Sequence, residues 1–184
     1  ANGETLHVVM EAIAGGSRGD EVQLYAGYFE AVGVKTTGKT TQRALWEEKR
    51  RGNTHMAAMA GASGSATLFS FPYSAVPWDS RTNWAPAWGL YHSTQGAEGE
   101  KPPADVQEML DLVVEGASLP LDQGAAIAQE IMAKSVERMN VIATIQKKSP
   151  YIVATGLGNV PEIIPVGWGI RNPGNGFPAT WFWR

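Results

Sequence analysis

The sequence predicts an α/β fold: a small mixed sheet flanked by helices, with a long irregular Trp-rich loop. Three observations carry this. Residues 5–60 switch repeatedly between apolar alternation and 3.6-residue periodicity, in the order βαβαβ. Residues 61–103 keep no period and are rich in Gly, Pro and Trp. Two amphipathic helices then follow, at residues 105–115 and 122–139.

Residues 5–13 read as a strand, with Leu6, Val8 and Met10 alternating with His7, Val9 and Glu11. Gly15-Gly16-Ser17 is a turn. From Asp20 the pattern is helical, with Val22, Tyr25, Phe29 and Val32 on one stripe that Leu24 and Tyr28 widen. Gly33 stands where a helix-ending glycine belongs. Residues 34–37 are a short β-branched strand, and residues 41–51 a second helix with Thr40 or Thr41 as its cap. Residues 55–60 are a small buried strand. In the later helices Val106, Met109, Leu110, Val113 and Val114 form one stripe. Ala128, Ile131, Met132, Ser135, Val136 and Met139 form the other. Residues 140–146 and 150–155 read as strands, and the tail from Gly156 is aperiodic but rich in aromatics.

The composition narrows the function. The chain has 184 residues, 43% apolar and 18% charged, with a net charge of −3. That is one domain's worth of sequence with enough apolar residues for a core. A nucleic-acid binder would need a basic field, and a disordered chain more charge and fewer apolar residues. With no cysteine there are no disulfides, thiolate metal sites or cysteine nucleophile. No stretch is apolar for long enough to span a membrane. The chain opens Ala1-Asn2-Gly3-Glu4, with neither initiator Met nor secretory leader, and is expected to be a mature, processed or excised portion.

Several motifs spell chemistry. Gly33-Val-Lys-Thr-Thr-Gly38-Lys39-Thr40 matches G-x-x-x-x-G-K-[ST], in which backbone N–H groups cradle phosphates. A nucleotide-binding enzyme fragment is therefore one reading. Against it, Gly33 follows a helical stripe rather than a buried strand, and no later strand ends in an Asp for Mg²⁺. The bland reading is a helix stop, a short strand and a turn. His7, His55 and His92 have no metal-ligand spacing. Arg18-Gly19-Asp20 is a tripeptide that chance produces often, and Glu47-Glu48 and Glu98/Glu100 read as solvated faces. The aromatic run Trp78-Asp79, Trp84 and Trp88-Gly89-Leu90-Tyr91 offers flat faces and N–H donors on an irregular segment. Such groups stack on ligands or simply pack a loop down, and both readings stand.

Taken in order, the pieces resemble the C-terminal lobe of the peptide/nickel-type solute-binding proteins (extracellular solute-binding family 5) of bacterial ABC importers. The resemblance rests on Leu6-His-Val-Val-Met10 with its helix and Gly33-Val34-Lys35. It continues through Lys49-Arg-Arg-Gly52-Asn53-Thr-His-Met-Ala-Ala-Met59 and the helix pair from Asp105 and Asp122. It ends with Lys148-Ser-Pro-Tyr-Ile-Val-Ala-Thr155 and Asn159-Val-Pro-Glu162. It implies a periplasmic-binding-protein-like lobe at residues 1–165. It also implies a tail at 166–184 that would return to an absent, larger N-terminal lobe. The expected function is non-catalytic, cofactor-free capture of an oligopeptide or similar polar solute in the periplasm, for an ABC permease. An oligosaccharide is the alternative ligand. Where peptide binders of that family carry a Trp and an Asp, this chain has Ala60-Gly61-Ala62-Ser63-Gly64, which implies a wider or differently charged cleft. The expected ligand wall is Gly61, Ala62 and Ser63 at the strand end, with Trp78, Asp79, Trp84, Trp88 and Tyr91 in the loop. Trp168, Trp181, Phe182 and Trp183 in the tail would need cover, for which a second copy of the chain is the favoured candidate.

Overall fold

The computed structural model describes residues 3–61, 68–144, 154–162, 164 and 174–183. Its sheet is built from β1 (His7–Ile13), β2 (Lys35–Thr41) and β3 (Ala57–Met59), in the order β2-β1-β3 and parallel throughout. The helices are α1 (Arg18–Ala31), α2 (Arg43–Arg51), α3 (Pro86–Ser93), α4 (Ala104–Ala117) and α5 (Leu121–Arg138). A separate antiparallel pair joins β4 (Leu157–Gly158) to β5 (Phe182–Trp183). This is the α/β architecture that the alternation predicts.

β1 is central and nearly all of it is covered, as a parallel strand must be. Met10 and Ala12 pack with Val22 of α1, and Tyr25, Phe29, Ala57 and Met59 complete that core. The buried stripe of α1 is narrower than its periodicity suggests. Val22 and Ala26 are buried, whereas Leu24, Tyr28 and Val32 are exposed. One small sheet offers α1 only one line of contact. The helix ends at Gly33, whose φ of +87° lets its N–H reach the Glu30 carbonyl while the Val34 N–H reaches that of Phe29.

β2 is longer than expected and settles the phosphate-loop motif. Gly38, Lys39 and Thr40 lie inside it, opposite Met10, Glu11 and Ala12. Strand N–H groups point alternately to opposite edges, so they do not converge on an anion. Gly38 is there for close packing instead. A Cβ at this position would lie 2.6 Å from the Val22 carbonyl oxygen, because α1 rests directly on the strand. The expected turn at Gly38 is therefore strand interior, and Gln42, not Thr40 or Thr41, caps α2.

A second core forms away from the sheet. Val106, Met109, Leu110 and Val113 of α4 meet Ile131 of α5, together with Leu68, Ala75, Val76 and Trp84 from the long loop. Val114, Val136 and Met139, at the margins of the predicted stripes, are exposed. The loop is more regular than its sequence suggests, with a 3₁₀ turn at Pro72–Ser74 and helix α3. Pro86 at the first turn is the start signal for α3. Gly89 is where that helix presses on the Asp79 backbone. Residues 140–144 and 154–155 are not strand, and residues 145–153, within the two predicted strands and the gap between them, lie outside the described residues.

Candidate functional site

β1 places a glutamate where a core residue would normally sit. Glu11 is 3% exposed, between Met10 and Ala12. Its Oε1 accepts from Lys39 Nζ at 2.6 Å and Lys49 Nζ at 2.7 Å, and its Oε2 lies 2.7 Å from His55 Nδ1. Each partner comes from a different segment: Lys39 from β2, Lys49 from α2, His55 from the run into β3. The Trp46 indole adds a long N–H contact to the Glu11 carbonyl at 3.4 Å. Burial alone would raise the Glu11 pKa, but the two ammonium groups outweigh it and hold it at about 2. His55 Nε2 faces the Trp46 carbonyl at 3.1 Å, whereas Nδ1, although close to the Glu11 carboxylate, is buried without an aligned hydrogen bond. The cluster ties both sheet neighbours and α2 to β1. The two ammonium groups satisfy the carboxylate, which gives the cluster a structural role.

A second polar cluster sits in the long loop. Asp79 accepts from the Arg81 backbone N–H and Nη2, each at 2.7 Å, and from the Tyr73 hydroxyl at 3.2 Å. Burial opposes ionisation of Asp79, but the Arg81 contacts prevail and lower its pKa. The same desolvation, with the Asp79 charge, raises that of Tyr73. Arg81→Met is expected to bring the Asp79 carboxyl up towards the ordinary range in a carbon-detected titration. Because the Arg81 side chain is 60% exposed, the stability loss should stay under about 1 kcal/mol.

The structure separates the predicted ligand-wall residues into two concavities. Trp78, Asp79 and Tyr91 line a shallow groove of about 640 Å³ with His92, Gln95 and Gln107. His92 Nδ1 lies 2.8 Å from the Trp78 carbonyl, which can only accept, so Nδ1 carries the proton. Trp84 faces a different cavity, of about 670 Å³, beside β3. It is also a core residue, 9% exposed, with its indole N–H donated to the Ser74 carbonyl at 3.2 Å. Trp88 packs edge-on to Trp84 at 6.2 Å, half-buried in the helical core. Gly61 is exposed, and its carbonyl accepts from Asn83, which lines the cavity beside β3. Ala62 and Ser63 lie outside the described residues, as does Trp168.

Much of the cavity beside β3 was not singled out from the sequence. Tyr25, Tyr28 and Phe29 reach it from α1, Met56 and Met59 from β3 and its approach, and Asn140 to Thr144 close one side. The faint signal was Tyr28, on the outer edge of an α1 stripe too wide for one small sheet. Among the described residues no group of three or more His, Asp or Glu is arranged to hold a metal ion. No helix there is long and apolar enough to cross a membrane.

No protein-family model matches the chain, and no curated protein does. Among solved structures it is similar to an "oligopeptide-binding protein OppA", with a TM-score of 0.77 and 23% identity. The match covers 100% of this chain and 31% of that one, so the chain spans about a third of the length of its structural neighbour. At that identity the likeness is one of fold: a small parallel sheet flanked by helices, folded like a lobe of an oligopeptide-binding protein.

Proposed function

We propose that this chain is one ligand-binding lobe of an ABC-importer substrate-binding protein, which captures an oligopeptide or similar polar solute outside the cytoplasmic membrane. The observation that carries this is the fold likeness to an oligopeptide-binding protein over the whole chain. Two further features support it. The Glu11 carboxylate is taken up by two ammonium groups, which fits a structural role better than a catalytic one. Both concavities are lined by aromatic and hydrogen-bonding side chains, the usual equipment for holding a solute.

In this reading residues 1–165 form the lobe and residues 166–184 lead back to a second lobe. Closure of the two lobes would bury the solute and present a surface to a membrane permease. Gly61, Ala62, Ser63, Trp78, Asp79, Trp84, Trp88 and Tyr91 remain the proposed wall. Trp84 and Trp88 serve mainly by shaping it, since both are packed into the helical core. Phe177, Phe182 and Trp183 are exposed in the tail, where the second lobe or a second copy of this chain would cover them.

One wall buries only part of a ligand, and affinity falls with the lost contacts. Calorimetry with mixed-sequence tri- to pentapeptides should therefore show binding weaker than about 10 µM for this chain alone. It should tighten when the chain is joined to its second lobe. Micromolar or tighter binding by the chain alone would overturn the two-lobe reading. The groove at Trp78 and Tyr91, with Asp79, Gln95 and Gln107 beside them, favours an oligosaccharide as the second reading. Trisaccharides in the same titration decide between the two.

A further inference from the structure

The cavity beside β3 has a chemistry of its own. Three methionines, Met10, Met56 and Met59, line a cavity of about 670 Å³ together with four aromatic side chains, Tyr25, Tyr28, Phe29 and Trp84. That volume is in the range that holds drug-sized ligands. Thioethers are flexible and polarizable, and they make favourable contacts with aromatic rings at many angles. Tyr28 and Met56 are each 59% exposed and Ile142 65%, and all three line this same cavity. Large apolar groups gathered at one mouth mark a binding surface rather than the scatter usual on a soluble protein.

The polar groups narrow the ligand further. The lining holds Arg50, Asn53, His55 and Asn83, and no Asp or Glu among the described residues. His55 Nε2 is committed to the Trp46 carbonyl, and Nδ1 lies beside the Glu11 carboxylate. Arg50 is tied to Glu47 and to the Arg81 carbonyl, with its guanidinium 5.5 Å from the Trp46 ring centroid. A cationic ligand group would thus leave water without a counter-charge and with a guanidinium nearby. An aromatic group that is neutral or ends in an acceptor meets no such penalty.

We propose that this cavity is a binding site for an aromatic, non-cationic group, such as the ring of a solute or of an aromatic peptide side chain. The identity of the whole ligand as a captured solute rests on the reading above; the existence of the site does not.

The test uses the chain with its methionine methyl groups labelled with carbon-13. The probes are 3-phenylpropanoate, 3-cyclohexylpropanoate and 3-phenylpropylamine. The phenyl acid should shift the Met10, Met56 and Met59 methyl signals by ring current, and leave Met109 and Met132 of the helical core in place. The amine should bind about tenfold more weakly than the acid. The saturated acid should bind more weakly and produce no ring-current shift. Tyr28→Ser and Met56→Ser, both at largely exposed positions, should each weaken the phenyl acid at least threefold with an unchanged melting temperature. Shifts absent, shifts spread evenly over all six methionines, or equal binding of acid and amine would each overturn the proposal. The two readings fail separately. Peptides captured by the two-lobe protein, with no methionine shifts from the phenyl acid, would sink the aromatic site and spare the capture function. A phenyl acid bound as described, with no peptide or oligosaccharide captured by the two-lobe protein, would do the reverse.

Discussion

Glu11→Gln should lower the unfolding free energy by about 3 kcal/mol, as read from urea denaturation at pH 7. The carboxylate is the common partner of Lys39, Lys49 and His55, and it is 3% exposed. Removing its charge strands cations from separate segments at once. Lys39 is 47% exposed and turns to water at little cost, so the loss should stay at the low end for a broken buried ion pair. For the same reason Lys39→Met alone should cost less than about 1 kcal/mol, since Lys49 and His55 remain on the carboxylate.

Acid should show the same group at work. The folded-state pKa of Glu11 is about 2, below the ordinary 4.5, so the unfolded chain takes up the proton first as pH falls. The stabilisation is complete above pH 4.5 and is lost as pH drops towards 2, a span worth about 3 kcal/mol. In Glu11→Gln that part of the acid slope should vanish. A variant with the wild-type slope between these pH values would show that other carboxylates carry it.

Gly38→Val should destabilise the protein by about 1–3 kcal/mol, through overpacking rather than lost contacts. A Cβ there meets the Val22 carbonyl carbon at 2.9 Å and the Gln23 nitrogen at 3.2 Å, both backbone atoms of α1 that cannot rotate aside. The helix would have to lift off the strand and loosen the core of Met10, Ala12 and Val22. Gly38→Ala should fall at the lower end of the range. Thermal unfolding measures both. A phosphate-loop glycine predicts the opposite pattern, with stability retained and nucleotide affinity lost, so ATP titration of the stable variants separates the readings.

The sequence alone determined the order of elements and the class of fold. The alternation in β1, the stop at Gly33, and the stripe Val106–Met109–Leu110–Val113 are local patterns, set by side chains two to four residues apart. It did not determine how far β2 runs. Gly38 to Thr41 looks like turn and cap chemistry until β1 offers Met10 to Ile13 as pairing partners. Nor did it show α3, because Gly89 inside a helix is explained only by the Asp79 backbone pressed against it. The aromatic residues it did single out were divided by packing. Trp84 was drawn into the helical core, while Trp78 and Tyr91 stayed on a groove. The Glu11 cluster and the methionine-lined cavity were decided entirely by tertiary structure. Glu11 meets Lys39 through a strand register and His55 through the approach to β3, and Tyr28 and Met56 line one cavity from α1 and from the approach to β3. Periodicity tells a residue which way to face along its own element. What it faces is set by how distant elements pack, and no spacing in the chain encodes that distance.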